Sequence, residues 1–140
     1  MSLDNSGNKK VYLIDYVGDS TELVLPDSVT INNEIITEYE INDDAFYNCN
    51  SLMSVKISDS VKRIGNYAFY YCTSLEYVEI GNGVEETLGD SSFYGCNALA
   101  TINYSGSISD FELIRPSSDS WYDYSGITKV SCQDGIIDLG

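Results

Sequence analysis

The chain has 140 residues, a length that suits a single domain. Hydrophobic residues make up 43% of it, which excludes a compositionally disordered chain, and no stretch approaches the roughly 20 apolar residues that cross a bilayer. Seven lysines and arginines against 22 acidic residues give a net charge of −15, which excludes the basic surface that nucleic acids and anionic membranes require.

The chain begins with a polar segment, residues 1–10, that lacks the apolar core of a secretory signal. We predict a polar tail or a remnant of an expression tag here. Residues 11–40 are predicted to form an N-terminal cap and a first degenerate repeat, with one strand over residues 11–16 and a second that turns Leu23 and Leu25 inward.

The spacing after this second strand is longer than in the rest of the chain, which predicts a loop near residues 32–34. Val29 stands at the same offset from its strand as Val61 and Val84 do from theirs. We therefore expect these three valines to occupy equivalent positions.

Residues 41–104 contain three repeats of 23 to 24 residues. Each repeat has an aromatic residue, a cysteine three positions later, and then a strand of the form Leu-x-x-Val-x-Ile, or a close variant of it. Agreement over so many columns is too regular for chance. The aligned columns are Phe46, Phe69 and Phe93; Cys49, Cys72 and Cys96; Leu52, Leu75 and Leu99; Val55, Val78 and Ile102; and Ile57, Ile80 and Tyr104.

The alternation within each strand has the period of two that is typical of a strand with one buried face. A unit of this size cannot bury its apolar face alone, so the units are expected to stack. The predicted result is a ladder of parallel strands joined by short helical or irregular turns. Phe and Cys, three positions apart, are expected on one face of each turn.

The pattern Ile-Gly-x-x-Ala-Phe-x-x-Cys-x-Ser-Leu-x-x-Val-x-Ile, which residues 64–80 match fully, resembles the BspA-type leucine-rich repeat of bacterial surface proteins. The resemblance covers roughly residues 11–135. It implies a leucine-rich-repeat-type solenoid, an α/β repeat with N- and C-terminal caps. Residues 105–140 would be the C-terminal cap, with Phe111 where the family often carries tryptophan. The aromatic cluster of residues 121–124 is expected to close the end of the solenoid.

Four cysteines are present, and three of them share one column of the repeat. Side chains in such a column run parallel and do not point at one another as a disulfide requires. We therefore predict reduced, structural thiols at Cys49, Cys72 and Cys96, with Cys132 packed in the cap.

Nothing in the sequence predicts catalysis. The chain has no histidine, which removes Ser-His-Asp and Cys-His arrangements and most zinc hydrolase sites. It has no glycine-rich phosphate-binding loop, and no pair of carboxylates stands apart from the many others. We predict a non-enzyme without a cofactor or metal site. The acidic surface favours solubility, and calcium binding is the alternative reading of it.

Outward positions beside the strand columns predict a binding surface on the concave face. The exposed aromatic row that follows the core phenylalanines is an alternative surface, because tyrosine suits interfaces and sugar stacking. A solvated sheet face and a core-shielding row are the competing structural readings. The concave-face residues are Ser54, Lys56, Tyr77, Glu79, Thr101 and Asn103, and those of the aromatic row are Tyr47, Tyr70, Tyr71 and Tyr94.

The resemblance implies a cell-surface or secreted recognition module, adhesion-like and extracellular, that binds a protein or glycan partner. Neither nucleic-acid binding nor membrane insertion is expected. Two alternatives stay open: a structural repeat or spacer of a larger surface protein with no ligand of its own, and an enzyme-associated fragment.

Overall fold

A computed structural model describes residues 21–140, together with the backbone of two short strands before them. Of the predicted polar tail, only the two-residue strand at residues 2–3 is among the described residues. The prediction for residues 14–16 lies outside them. The elements in chain order are β1 (Ser2–Leu3), β2 (Val11–Leu13), β3 (Glu22–Val24), β4 (Val29–Ile31), β5 (Glu34–Ile36), β6 (Tyr39–Ile41), β7 (Ser54–Ile57), β8 (Val61–Ile64), β9 (Tyr77–Ile80), β10 (Thr101–Tyr104), α1 (Ile108–Ile114), a 3₁₀ helix (Asp119–Trp121), β11 (Lys129–Cys132) and β12 (Gly135–Asp138).

The repeat strands line up in one six-stranded sheet, in the order β12-β11-β10-β9-β7-β3. All neighbours are parallel except β11 and β12. Val55 pairs with Val78, and Val78 with Ile102, so the predicted columns lie side by side. These three side chains are fully buried, whereas Lys56 and Tyr77 are exposed. The alternation that the sequence predicts is therefore confirmed in register and direction.

A second sheet forms another wall of the stack, in the order β1-β2-β6-β8. Here Tyr39, which is buried, pairs with Val61. The prediction that Val29 is equivalent to Val61 is therefore wrong. The extra residues after β3 fold out as the antiparallel hairpin β4–β5, and Val29 belongs to that hairpin.

The predicted loop near residues 32–34 contains the turn of this hairpin. Asn32 and Asn33 have φ of 52° and 66°. Positive φ at both central residues is what a two-residue type I′ turn requires, and asparagine tolerates it well.

The turns that carry the phenylalanines form a third wall. The amide of Phe46 donates to the Ala68 carbonyl at 2.8 Å, and the amide of Phe69 donates to the Ser92 carbonyl at 2.8 Å. The rings of Phe46 and Phe69 stack at 5.1 Å, and those of Phe69 and Phe93 at 5.2 Å. The turns are irregular rather than helical, because a residue with left-handed backbone precedes each cysteine of the column.

The C-terminal segment continues this stacking. Trp121 takes the next place in the phenylalanine column, since the Phe93 amide donates to its carbonyl at 2.8 Å. Its ring is fully buried against Phe93 and Phe111, at 6.4 and 6.1 Å. Tyr124 does not pack with it, contrary to the expectation for the aromatic cluster, and is 76% exposed. Ser107 begins α1 by accepting a hydrogen bond from the Asp110 amide.

Candidate functional site

The outward side chains of the six-stranded sheet form two rows, here called the strand face. Pairing in register places one residue of each strand in each row. All six predicted concave-face residues lie in these rows. The first row is Glu22, Ser54, Tyr77, Thr101, Lys129 and Asp138, and the second is Val24, Lys56, Glu79, Asn103, Ser131 and Ile136.

Few of these side chains are engaged by the protein itself. The Tyr77 hydroxyl lies 3.5 Å from a Glu79 carboxylate oxygen, and the Asn103 amide donates to the Val78 carbonyl at 3.2 Å. The salt bridges within residues 21–140 are made by arginines, and the exposed Lys56 ammonium pairs with no carboxylate of that part of the chain. The strand face therefore presents a positive group, a negative group and a phenol on paired backbone.

The strand face contains an open depression of about 240 Å³ near β3. Val24 contributes an apolar side chain that is 67% exposed. An exposed aliphatic group beside separate charges is a suitable contact for a protein or glycan surface. The lining residues are Val24, Leu25, Pro26, Asp27, Lys56, Ile57, Ser58 and Glu79.

The aromatic row predicted from the sequence comes together on the turn side of the stack. Tyr47 and Tyr70 stack at 5.0 Å and 9°, and Tyr70 and Tyr94 at 4.9 Å and 7°. Tyr71 meets Tyr70 edge to face at 4.8 Å. The stacking follows from the parallel rungs, because identical positions recur at the spacing of neighbouring strands.

Two tyrosines outside the predicted row also belong to it. Tyr67 meets Tyr70 edge to face at 5.4 Å, and Tyr124 lies 5.2 Å from Tyr94. The spacing of Tyr67, three residues before Tyr70, was the one available signal, and nothing local marked Tyr124. We call the full set the tyrosine array: Tyr47, Tyr67, Tyr70, Tyr71, Tyr94 and Tyr124.

Two hydroxyls of the array, those of Tyr70 and Tyr94, stay protonated at neutral pH. Desolvation by the packed rings raises the pKa of Tyr70 and of Tyr94 above the ordinary value. The neighbouring ring of Tyr71 adds to the rise in both pKa values. A neutral phenol can both donate and accept a hydrogen bond, so the array presents polar tips on an apolar body.

Two thiols of the cysteine column, Cys72 and Cys96, are buried in the core and are not placed for reactive chemistry. All four cysteines are free, as predicted. Burial raises the pKa of Cys96 to about 12 and that of Cys72 further still. Because the thiolate is the nucleophile and the metal ligand, neither thiol is prepared for such a role. Within the described residues, no cluster of three or more His, Cys, Asp or Glu is placed to hold a metal ion.

No helix among the described residues is long and apolar enough to span a membrane. Residues 39–140 match the family profile of the BspA type leucine rich repeat region, in 6 copies. No curated protein matches the chain.

Solved structures show the same architecture. A leucine-rich repeat protein from Bacteroides capillosus is 26% identical, with a TM-score of 0.74, and the alignment covers 94% of this chain and 92% of that one. A leucine rich cell surface protein from Faecalibacterium prausnitzii is 28% identical, with a TM-score of 0.61 over 73% of this chain. This chain spans 30% of the length of that protein. A leucine rich repeat protein from T. pallidum, 21% identical, aligns over 92% of this chain and 67% of its own with a TM-score of 0.60, which is a likeness of fold alone.

Proposed function

Because the chain belongs to the BspA-type leucine-rich repeat family, we propose that it is a non-catalytic recognition module of a bacterial surface protein. In this proposal, stacked repeats over residues 41–104 form a short solenoid. Residues 11–40 supply an N-terminal cap with a degenerate repeat, and residues 105–140 supply the C-terminal cap. The module works outside the cell or on its surface, in keeping with the F. prausnitzii relative, which is described as a cell surface protein.

The strand face is the proposed contact surface for an extracellular protein or glycan. The observation that carries this proposal is the pair of outward rows, in which backbone pairing sets the position of each side chain. A partner that docks on such a frame orders few rotatable bonds of the module, so binding costs little conformational entropy. Lys56 and Glu79 supply opposite charges one strand apart, and Tyr77 supplies a phenol beside them.

The proposal is tested by screening the purified protein against extracellular-matrix proteins and glycans on arrays. Tyr77→Ala and Glu79→Ala variants are expected to lose the hit. Each changes an outward side chain, so the buried columns beside them should keep the fold intact. Glu85→Ala, which removes an exposed carboxylate outside the strand face, is the charge-matched control and should keep the hit.

Failure of the folded protein to bind any member of either array would favour the alternative, a structural repeat with no ligand of its own. A hit that survives both strand-face substitutions would overturn the choice of surface.

A further inference from the structure

The tyrosine array is one continuous exposed surface. Tyr47, Tyr67 and Tyr71 are 51%, 41% and 41% exposed, and Tyr124 is 76% exposed. Within the described residues, none of the six hydroxyls makes a hydrogen bond; the tyrosines whose hydroxyls do so, Tyr39, Tyr77 and Tyr104, lie elsewhere. A cluster of this kind, with uncommitted polar tips, is typical of a binding surface rather than of a solvated one.

Backbone geometry indicates that three tyrosines of the array adopt an unfavourable conformation. Tyr67, Tyr71 and Tyr124 have φ of 59°, 56° and 58°, in the left-handed region that bulky residues rarely adopt. The equivalent positions of the other repeats hold residues better suited to this conformation: Asp44 and Ser91 for Tyr67, and Asn48 and Gly95 for Tyr71. Strain of this kind persists where surrounding structure holds it, and it concentrates at functional positions.

The charges near the array are negative. Asp44 holds the position equivalent to Tyr67 in the preceding repeat. The Asp90 carbonyl accepts a hydrogen bond from the Tyr67 amide at 2.9 Å. The Asp123 carboxylate is close enough to contribute to the raised pKa of Tyr94. All three aspartates are exposed.

No lysine or arginine of residues 21–140 forms a cation–π pair with the array. The whole chain carries −15. The array is therefore an aromatic surface with an acidic rim and no cation of its own in the described part of the chain.

We propose that the tyrosine array is a second recognition surface, which binds a basic, arginine-containing segment of a partner protein. A guanidinium group is planar, sheds water more readily than an ammonium group, and stacks on aromatic rings. The aspartates of the rim pair with its N–H groups or with the next basic residue, and the phenol oxygens accept further hydrogen bonds. The surface lies on the turn side, apart from the strand face, so it does not depend on the strand-face proposal.

The test is a calorimetric titration of the full chain with a hexa-arginine peptide at 0.15 M salt, which measures the affinity. Matched variants come from the repeat itself: Tyr67→Ser and Tyr71→Asn install residues that the same positions hold in neighbouring repeats. The net charge is unchanged and the strain is relieved, so the double variant should fold. Loss of two exposed cation–π contacts is expected to weaken binding about tenfold.

Leu113→Ser, which changes an exposed residue of α1 outside both surfaces, is the control and should change the affinity less than about twofold, as expected for a surface substitution. Equal affinity of the double variant and the parent would mean general attraction to an acidic protein, and would overturn the proposal. So would a neutral oligosaccharide, maltohexaose, that binds the parent and not the double variant, because the array would then be a glycan surface. Neither result bears on the strand face, which the screen against matrix proteins and glycans tests separately.

Discussion

The Sγ of Cys96 lies 3.1 Å from the carbonyl oxygen of Phe69 and donates a hydrogen bond to it. One rung earlier, the Sγ of Cys72 makes the same bond to Phe46, also at 3.1 Å. Both side chains are fully buried. Each thiol therefore ties its turn to the preceding rung, in addition to filling space in the core.

Thiol reactivity should separate the four cysteines into two pairs. Cys49 and Cys132 are half-buried, whereas Cys72 and Cys96 have no exposed surface. At pH 7.5 we expect a disulfide-exchange reagent to label the first pair well before the second, because attack requires an accessible thiolate. Mass spectrometry of labelled peptides gives the rates. Labelling of Cys96 as fast as Cys49 in the folded protein would contradict the buried column.

Alkaline pH should destabilise the protein because it favours ionisation of the buried Cys96 thiol. Burial raises the pKa of Cys96 from 9.0 to about 12. The folded state therefore keeps this proton after the unfolded chain has lost it, so the contribution to stability is complete below pH 9 and is lost as pH rises toward 12. The urea midpoint should fall between pH 9 and 11. Cys96→Ala should show a shallower fall, and an identical slope in both proteins would rule out this cause.

Ser92→Ala should stabilise the protein. The Ser92 hydroxyl is fully buried and has no hydrogen-bond partner among the described residues, whereas the equivalent positions hold Ala45 and Ala68. Removing an unsatisfied buried hydroxyl is expected to raise the free energy of unfolding by about 1 kcal/mol. Chemical denaturation measures it, with the exposed Ser105→Ala as control. A lower stability of Ser92→Ala would indicate an ordered water at this hydroxyl.

Gly83→Ala should disrupt the turn after β9. A Cβ at this position would lie 1.7 Å from the Asp59 carbonyl oxygen of the preceding rung, which is backbone and cannot swing aside. We expect the free energy of unfolding to fall by more than about 2 kcal/mol, as it does for substitutions that force packed backbone to move. Ser109→Ala, an exposed substitution in α1, should not lower stability. A Gly83→Ala protein with the parental melting temperature would mean that adjacent rungs separate easily.

Arg63→Met should lower the free energy of unfolding more than Arg115→Met does. The Arg63 guanidinium approaches Glu40 at 4.0 Å, Asp43 at 2.8 Å and Glu86 at 3.7 Å. Glu40 is 3% exposed, so removal of this cation leaves a buried carboxylate with less compensation. The expected loss is about 1 to 3 kcal/mol.

For the control Arg115→Met, the exposed partner carboxylate stays solvated, and the loss should be under about 1 kcal/mol. Equal losses in urea denaturation would show that burial of Glu40 contributes little to the free energy of unfolding.

The regular part of this fold could be predicted from the sequence. Alternation within a strand is a local property with a period of two, and the recurrence of the columns sets which strands are neighbours. The burial of Val78 and Ile80 and the exposure of Tyr77 follow directly from it. The same reasoning placed the three column cysteines together and aligned Tyr47, Tyr70 and Tyr94 in one row.

Only the tertiary structure decided what breaks the repeat. Tyr39 replaces Val29 beside Val61 because an inserted hairpin folds out of the stack. Tyr124 reaches Tyr94 although its own sequence neighbour Trp121 is buried in the core. These relationships depend on backbone dihedrals and on distances between rungs. Neither a hydrophobic period nor a column alignment carries that information, because both describe the average repeat and not its exceptions.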